Sequence, residues 1–112
     1  MDCVFCEIIK GNIPSTKVYE DEFVTAFNDL NPVMPVHVLI VPKKHIASVN
    51  ELENDDAELI GRVFVAAKKI AEKLGLDNGY RIINNCGEDA GQTVKHIHFH
   101  LIGGKPMGEK LI

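Results

Sequence analysis

The chain is 112 residues long, 46% hydrophobic and 25% charged, with a formal net charge of -4 at neutral pH. These values are ordinary for one globular domain spanning residues 1–112, large enough to bury a real core. The absence of a long basic run argues against a nucleic-acid polymer as partner, though not against a small anionic ligand.

No basic stretch followed by an apolar one marks a secretory leader, and no apolar run approaches the ~18 residues of a membrane span. The expectation is a cytoplasmic protein with no membrane partner. In that compartment Cys3, Cys6 and Cys86 read as ligands or packed thiols, not as a disulfide frame.

In chain order, DCVFCEIIK (residues 2–10) predicts a short helix stopped at Gly11, with Val4, Phe5, Ile8 and Ile9 on one stripe. Val18–Glu20 and Phe23–Leu30 predict a hairpin turning at Asp21-Glu22, although the turn residues are weak. After the break at NPVMP, the nearly all-apolar HVLIVP of residues 37–42 predicts a buried strand. A long helix follows over residues 55–74. Asp55 with Glu58 resembles a capping box, and Ile60, Val63, Phe64, Ala67, Ile70, Ala71 and Leu74 share one face. Gly75 is its expected stop. A strand at residues 80–84, the polar loop NCGEDAGQT and a strand over KHIHFHLIGG complete the chain. The fold class is α+β: an antiparallel sheet of about five strands with one long and one short helix. One long helix cannot cover both faces of such a sheet, which leaves a face or an edge open for a second copy.

His96, His98 and His100 stand at every second position. In a strand they project to one side, and Ile97, Phe99 and Leu101 to the other. A lone histidine is most often a satisfied surface or core residue, but three in strict alternation, out of five in the chain, point to chemistry. Either several of them hold one catalytic zinc with an open coordination position, or one imidazole is a nucleophile oriented by its neighbours. Cys3-x-x-Cys6 supplies half of a tetrahedral zinc site. With two histidines it would make a closed, structural Cys2His2 shell and leave the other imidazoles free. The thioredoxin-like context of a redox CxxC pair is missing.

With these residues in view, the chain resembles the histidine triad (HIT) superfamily, Hint branch. His96-Ile97-His98-Phe99-His100-Leu101-Ile102 fits its His-φ-His-φ-His-φ-φ signature. AFNDLNP, Pro35-x-His37, VPKKHI, NGYRIINN and GQTVKHIHFHLIGG extend the similarity from Cys3 to about Met107. Bacterial zinc-binding members often carry the same Cys-x-x-Cys start.

The resemblance implies a homodimer that binds purine nucleoside monophosphates of the AMP or GMP type and hydrolyses nucleoside phosphoramidates. It implies His98 as nucleophile through a nucleotidyl-histidine intermediate. His100 would hold or polarise the phosphate. His37, at the start of an apolar strand, reads either as a core histidine with a hydrogen-bond partner or as a support behind His98, and is grouped with the catalytic set in the second role. One structural zinc per chain would be held by Cys3, Cys6, His45 and His96. Phe5, Ile8, Phe27 and Leu30 correspond to the apolar base pocket and Asp29 to the ribose-binding acid. Asn85 would lie near the phosphate or ribose, and Gly91, Gln92 and Thr93 at the phosphate, together with His98 and His100. Val36, Cys86 and the missing C-terminal tryptophan, with Glu109 near its place, depart from the usual pattern. Two alternatives are a dinucleoside polyphosphate hydrolase and a non-catalytic dimeric nucleotide-binding module.

Overall fold

The computed structural model describes residues 3–112. A short helix α1 (Val4–Lys10) leads into the strands β1 (Lys17–Glu20), β2 (Val24–Asn28) and β3 (Val36–Pro42). Helix α2 (Ala57–Lys73) follows, then β4 (Tyr80–Asn84) and β5 (Phe99–Gly103). The five strands form one sheet in the order β1-β2-β3-β5-β4, and every neighbouring pair is antiparallel. The expected α+β class, with about five strands and one helix of each size, is what the chain adopts.

Alternation along the strands gives the sheet two distinct faces. On one face Val24 and Ala26 of β2, Val38 and Ile40 of β3, and Phe99 and Leu101 of β5 pack against Val63, Ala67 and Ile70 of α2. On the other face Phe27, Leu39 and Val41 meet Cys3, Phe5 and Ile8 from α1 and its cap. The second cluster is small because α1 has only seven residues. The part of that face beyond α1 carries the histidines.

Local chemistry sets the element boundaries. The hairpin at Asp21 is tighter than its residue types suggest. The Asp21 carboxylate accepts from the amides of Phe23 (2.8 Å) and Val24 (2.9 Å) and from the Tyr19 hydroxyl (2.9 Å). That is an Asx-type turn, in which the side chain replaces a backbone partner. The start of the long helix differs from the expected Asp55–Glu58 pair. A 3-10 turn over Asn54–Asp56 precedes α2, and the Asp56 carboxylate accepts from the Glu53 amide at 2.9 Å. Asp56 is buried and also takes a Lys44 ammonium at 2.6 Å. The expected start at residue 55 is therefore a 3-10 turn, and the α-helix proper begins at Ala57. The helix end is as expected: the Leu76 amide bonds back to Ala71 O (2.9 Å) and the Gly75 amide to Glu72 O (3.3 Å). This is a Schellman closure, with Gly75 at a φ of 74°.

The histidine segment departs from a simple strand. Only His100 lies within β5; His96 and His98 precede it. The Ile97 amide nevertheless bonds Ile46 O at 2.7 Å, so the segment stays extended and keeps its alternation. Ile97, Phe99 and Leu101 enter the α2-side core as expected. No helix among the described residues is long and apolar enough to cross a membrane.

Candidate active site and metal centre

Four of the five histidines fall into two adjoining groups, separated by the direction of their ring protons, and the fifth, His98, lies between them. The tautomers below follow from the hydrogen-bond partners.

The first group is Cys3, Cys6, His45 and His96, whose ligand atoms all lie within 4.8 Å of one another. Cys3 caps α1, with its sulfur accepting the Cys6 amide at 3.3 Å. The helical turn therefore brings both thiols to one end of α1. His45 follows β3 and its connection, and His96 precedes β5. His96 is fully buried. Its Nε2 is 2.8 Å from Pro42 O. A carbonyl only accepts, so Nε2 carries the proton and Nδ1 keeps a lone pair. That lone pair faces Cys3 Sγ at 3.3 Å, Cys6 Sγ at 3.6 Å and His45 Nδ1 at 3.1 Å. Cys6 Sγ lies 3.3 Å from His45 Nδ1.

These separations suit a tetrahedral zinc. Zn–N bonds of about 2.05 Å place two nitrogens about 3.3 Å apart, and Zn–S bonds of about 2.3 Å place sulfur and nitrogen about 3.6 Å apart. The donor set is soft and closed, with no position left for substrate water. Without a metal the group is poorly suited to charge. Burial depresses the His96 pKa, reinforced by His45 and His98, and outweighs the Pro42 hydrogen bond. Burial raises the Cys6 thiol, as do the Cys3 hydrogen bond and charge.

The second group is Asp29, His37 and His100, with His98 beside it. The Val33 amide donates to His37 Nδ1 at 3.1 Å, so the His37 proton sits on Nε2. That Nε2 lies 2.9 Å from His100 Nδ1 and 3.4 Å from Asp29 Oδ2. His100 accepts there through Nδ1 and carries its own proton on Nε2. The Asp29 carboxylate is further fixed by the Asn31 amide, 2.7 Å from Oδ1. Although these three residues could in principle hold a metal, the Val33 amide places a proton where a metal would need the His37 lone pair. The arrangement is a hydrogen-bond relay. Burial lowers the His100 pKa, His98 and His37 add to that, and Asp29 opposes it.

His98 joins the two groups. Its Nδ1 is 2.8 Å from His96 O. Nδ1 is therefore the donor, and Nε2 is left with a free lone pair. The Phe5 ring packs edge-on against His98 (5.1 Å between centroids), His96 (5.9 Å) and Phe27 (5.6 Å). His100 stands 5.3 Å from His98 by ring centroids. A lone pair on one imidazole thus adjoins an N–H donor on the next, both at the floor of a cleft of about 390 Å³. Nucleophile and donor at this spacing suit attack on an electrophile bearing anionic oxygens.

The cleft is lined by Phe5, Ile8, Phe27, Asp29, Leu30, Thr93, His98 and His100, all singled out in the sequence, together with Val4, Ile13 and Leu39. Leu30 stands at the mouth and is 94% exposed, so it forms rim, not pocket wall. Three residues expected at the phosphate or ribose lie outside the lining. The Gln92 amide is committed internally: its Oε1 accepts from the Gly87 amide (2.9 Å), and its Nε2 donates to Ala47 O (2.8 Å) and Val94 O (3.0 Å). Gly91 closes a 3-10 turn at a φ of 82°. Asn85 sits one residue past β4. His37 is also displaced from its expected role: it stands behind His100, not behind His98. Asn84 was missed. Its side-chain amide donates to His98 O at 2.9 Å, and only the adjacency of NN to a strand end could have hinted at it. Cys86 is half-buried with a free thiol. The tail that bears Glu109 is strapped by Arg81, which donates to Gly108 O (2.6 Å) and Lys110 O (3.0 Å).

The chain is similar to known proteins of the same fold. The HIT domain family matches residues 10–107. A purine nucleoside phosphoramidase from Escherichia coli (strain K12) is 44% identical over 111 residues, covering 98% of this chain and 93% of that protein. An uncharacterized HIT-like protein from Buchnera aphidicola is 43% identical over 107 residues, 95% of this chain and 96% of that one. Among solved structures, a HIT family hydrolase from Clostridium thermocellum superimposes with a TM-score of 0.96 at 54% identity. It covers 99% of this chain and 97% of that one.

Proposed function

Because the chain belongs to the HIT domain family, we propose that it is a hydrolase that cleaves purine nucleoside phosphoramidates through a nucleotide bound covalently to His98. The observation that carries this reading is the pair of directed protons at the cleft floor. His98 Nδ1 is tied to His96 O and His100 Nδ1 to His37, which leaves a free lone pair at His98 Nε2 and an N–H at His100 Nε2. The relationship to a purine nucleoside phosphoramidase supports the substrate class.

In the first step His98 Nε2 attacks the α-phosphorus. The N–P bond to the substrate amine breaks as the new His98 N–P bond forms, and the amine departs after taking up one proton from solvent, which the attacking water returns to solvent in the second step. The positive charge on the imidazole is relieved by its Nδ1–H···O bond to His96. The His100 N–H stabilises a phosphoryl oxygen where charge builds. In the second step water attacks phosphorus, the His98–phosphorus bond breaks and the nucleoside monophosphate leaves. Asp29 offers a carboxylate to the two ribose hydroxyls, and Phe5, Ile8 and Phe27 offer apolar contact to the base.

Cys3, Cys6, His45 and His96 would hold one zinc per chain, which would cross-link the α1 cap to the segments before β5 and after β3. Its closed ligand set gives it no part in the chemical steps. We further place the protein in the cytoplasm as a homodimer, the open edge of β4 offering the surface for a second copy.

Rapid acid-free quenching during turnover of an adenosine phosphoramidate, followed by intact-mass measurement, tests the mechanism. The expected species is protein heavier by one nucleoside monophosphate, labile to acid and stable to base, as an N–P bond to histidine is and a phosphoester is not. Faster cleavage of a dinucleoside polyphosphate would favour the other HIT branch. Tight monophosphate binding without any turnover would leave a binding module.

A further inference from the structure

We propose that Asn84 is a positioning residue for His98, acting through the backbone carbonyl of the nucleophile. The inference rests on the reading of His98 above.

The β4–β5 ladder ends at the pair Asn84–Phe99, and the β3–β5 ladder ends at Ile40–Phe99. His98 therefore stands one residue beyond the last paired residue of β5 on both sides. Two further contacts hold the segment there. On the β3 side, the neighbouring Ile97 amide bonds Ile46 O at 2.7 Å. On the β4 side, the Asn84 Nδ2 amide reaches past the end of the ladder and donates to His98 O at 2.9 Å. The side chain thus adds a donor to this carbonyl at the end of the ladder.

Pinning this carbonyl has a chemical consequence. The His98 imidazole is held by its own Nδ1–H to His96 O at 2.8 Å, so ring and backbone are tied on opposite sides of one Cα. With the His98 peptide free to rotate, the Cα–Cβ direction shifts, and the lone pair at Nε2 no longer points into the cleft beside the His100 donor. Misalignment of a nucleophile by a fraction of an ångström is enough to slow the step it performs. Asn84 lies outside the cleft lining, so its loss leaves the ribose, base and phosphate contacts in place.

The test compares the native protein with Asn84→Leu, which is close in size and has no donor, and Asn84→Asp. The readouts are the rate of adduct formation in a single turnover, the dissociation constant for adenosine monophosphate, and the thermal midpoint. N84L should slow adduct formation about tenfold, the rate equivalent of one hydrogen bond, with the monophosphate affinity unchanged within about twofold. N84D should be slower still at neutral pH, because a carboxylate oxygen would face the His98 carbonyl oxygen. Its deficit relative to native should shrink as pH falls and the introduced carboxyl gains a proton to donate. A purely structural role would not produce that pH-dependent recovery. Unchanged adduct formation in folded N84L, or a rate that falls only in proportion to monophosphate affinity, overturns the proposal. If the native protein forms no adduct at all, the failure belongs to the proposed reaction and not to Asn84.

Discussion

Two histidine groups adjoin on the α1 side of the sheet, and they differ in one respect that decides their chemistry: where the protons point. In the quartet, His96 sends its proton outward to Pro42 O and turns a lone pair toward two thiols and His45. In the relay, the Val33 amide forces the His37 proton inward, onto the line toward His100 and Asp29. Converging lone pairs call for a cation, whereas a chain of N–H donors excludes one. Residue types alone do not separate the two, since each contains two imidazoles and at least one anionic or ionisable ligand. A single backbone group, a carbonyl in one case and an amide in the other, sets each role.

The largest effect expected from breaking this division is at His98, which donates to the quartet's His96 through Nδ1 and serves the relay's cleft through Nε2. His98→Ala should lower turnover by about three orders of magnitude or more and abolish the covalent adduct. It should still bind the monophosphate and keep its metal. Retained turnover in His98→Ala, combined with loss of turnover on chelation, would move the chemistry from the imidazole to a metal.

Next in size is the quartet itself. Cys3→Ser and His96→Ala should each reduce bound zinc well below one per chain and destabilise the fold by more than about 3 kcal/mol, as loss of a structural metal does. Cys3 also caps α1, whose Phe5 touches both His96 and His98. The stability loss should therefore exceed the fall in intrinsic rate. Elemental analysis beside thermal unfolding checks this. Protein isolated without added metal that contains none, and that is indifferent to chelators, would leave the quartet as packed thiols and imidazoles.

The relay should yield a smaller and purely kinetic effect. His37→Ala removes the donor to His100 Nδ1 and frees the His100 tautomer. Adduct formation should slow by about tenfold, the equivalent of about 1.4 kcal/mol, while zinc content stays at the native level. A fall in zinc content instead would mean that the two groups are mechanically one.

How far the sequence reveals this arrangement depends on the range of the interactions. The alternation HIHFHL is local, and it correctly sends Ile97, Phe99 and Leu101 to the α2 side and the imidazoles to the other. Cys-x-x-Cys is equally local and brings both thiols to the start of α1. The long helix and its Gly75 stop follow from periodicity and one left-handed residue. What the sequence conceals is decided by partners far along the chain. The pairing of Asp56 with Lys44 moves the helix start away from Asp55 and Glu58. Gln92 is consumed by Ala47 O and by its own loop, so an amide expected at a phosphate serves as a brace. His37 supports His100 because β3 and β5 are adjacent, a pairing that a sequence separation of 63 hides. Asn84 is legible only once the sheet register is known.

The smallest expected effect concerns protons at His100, and it sharpens the contrast from the relay side. Burial lowers the His100 pKa, and the neighbouring His98 and His37 push it further down, while Asp29 is the one facing group that pulls it up. In the unfolded chain the same imidazole titrates near ~6.5. Above that pH it is neutral in both states and its contribution is fully present. As pH falls below ~6.5 the unfolded chain takes up a proton that the folded protein resists, so stability is lost progressively as pH drops toward the lowered folded value. His100→Asn removes this proton difference. The thermal midpoint of the native protein should therefore fall more steeply between pH 7.5 and 5.5 than that of His100→Asn. The two curves should converge at the acid end even though the variant starts lower. Comparing the slopes, with zinc content measured at each pH, separates proton uptake in the relay from metal release in the quartet, which acts on both proteins alike. Parallel slopes would mean that His100 takes up its proton in the folded state as readily as in the unfolded one, and that the relay tolerates a charged imidazole.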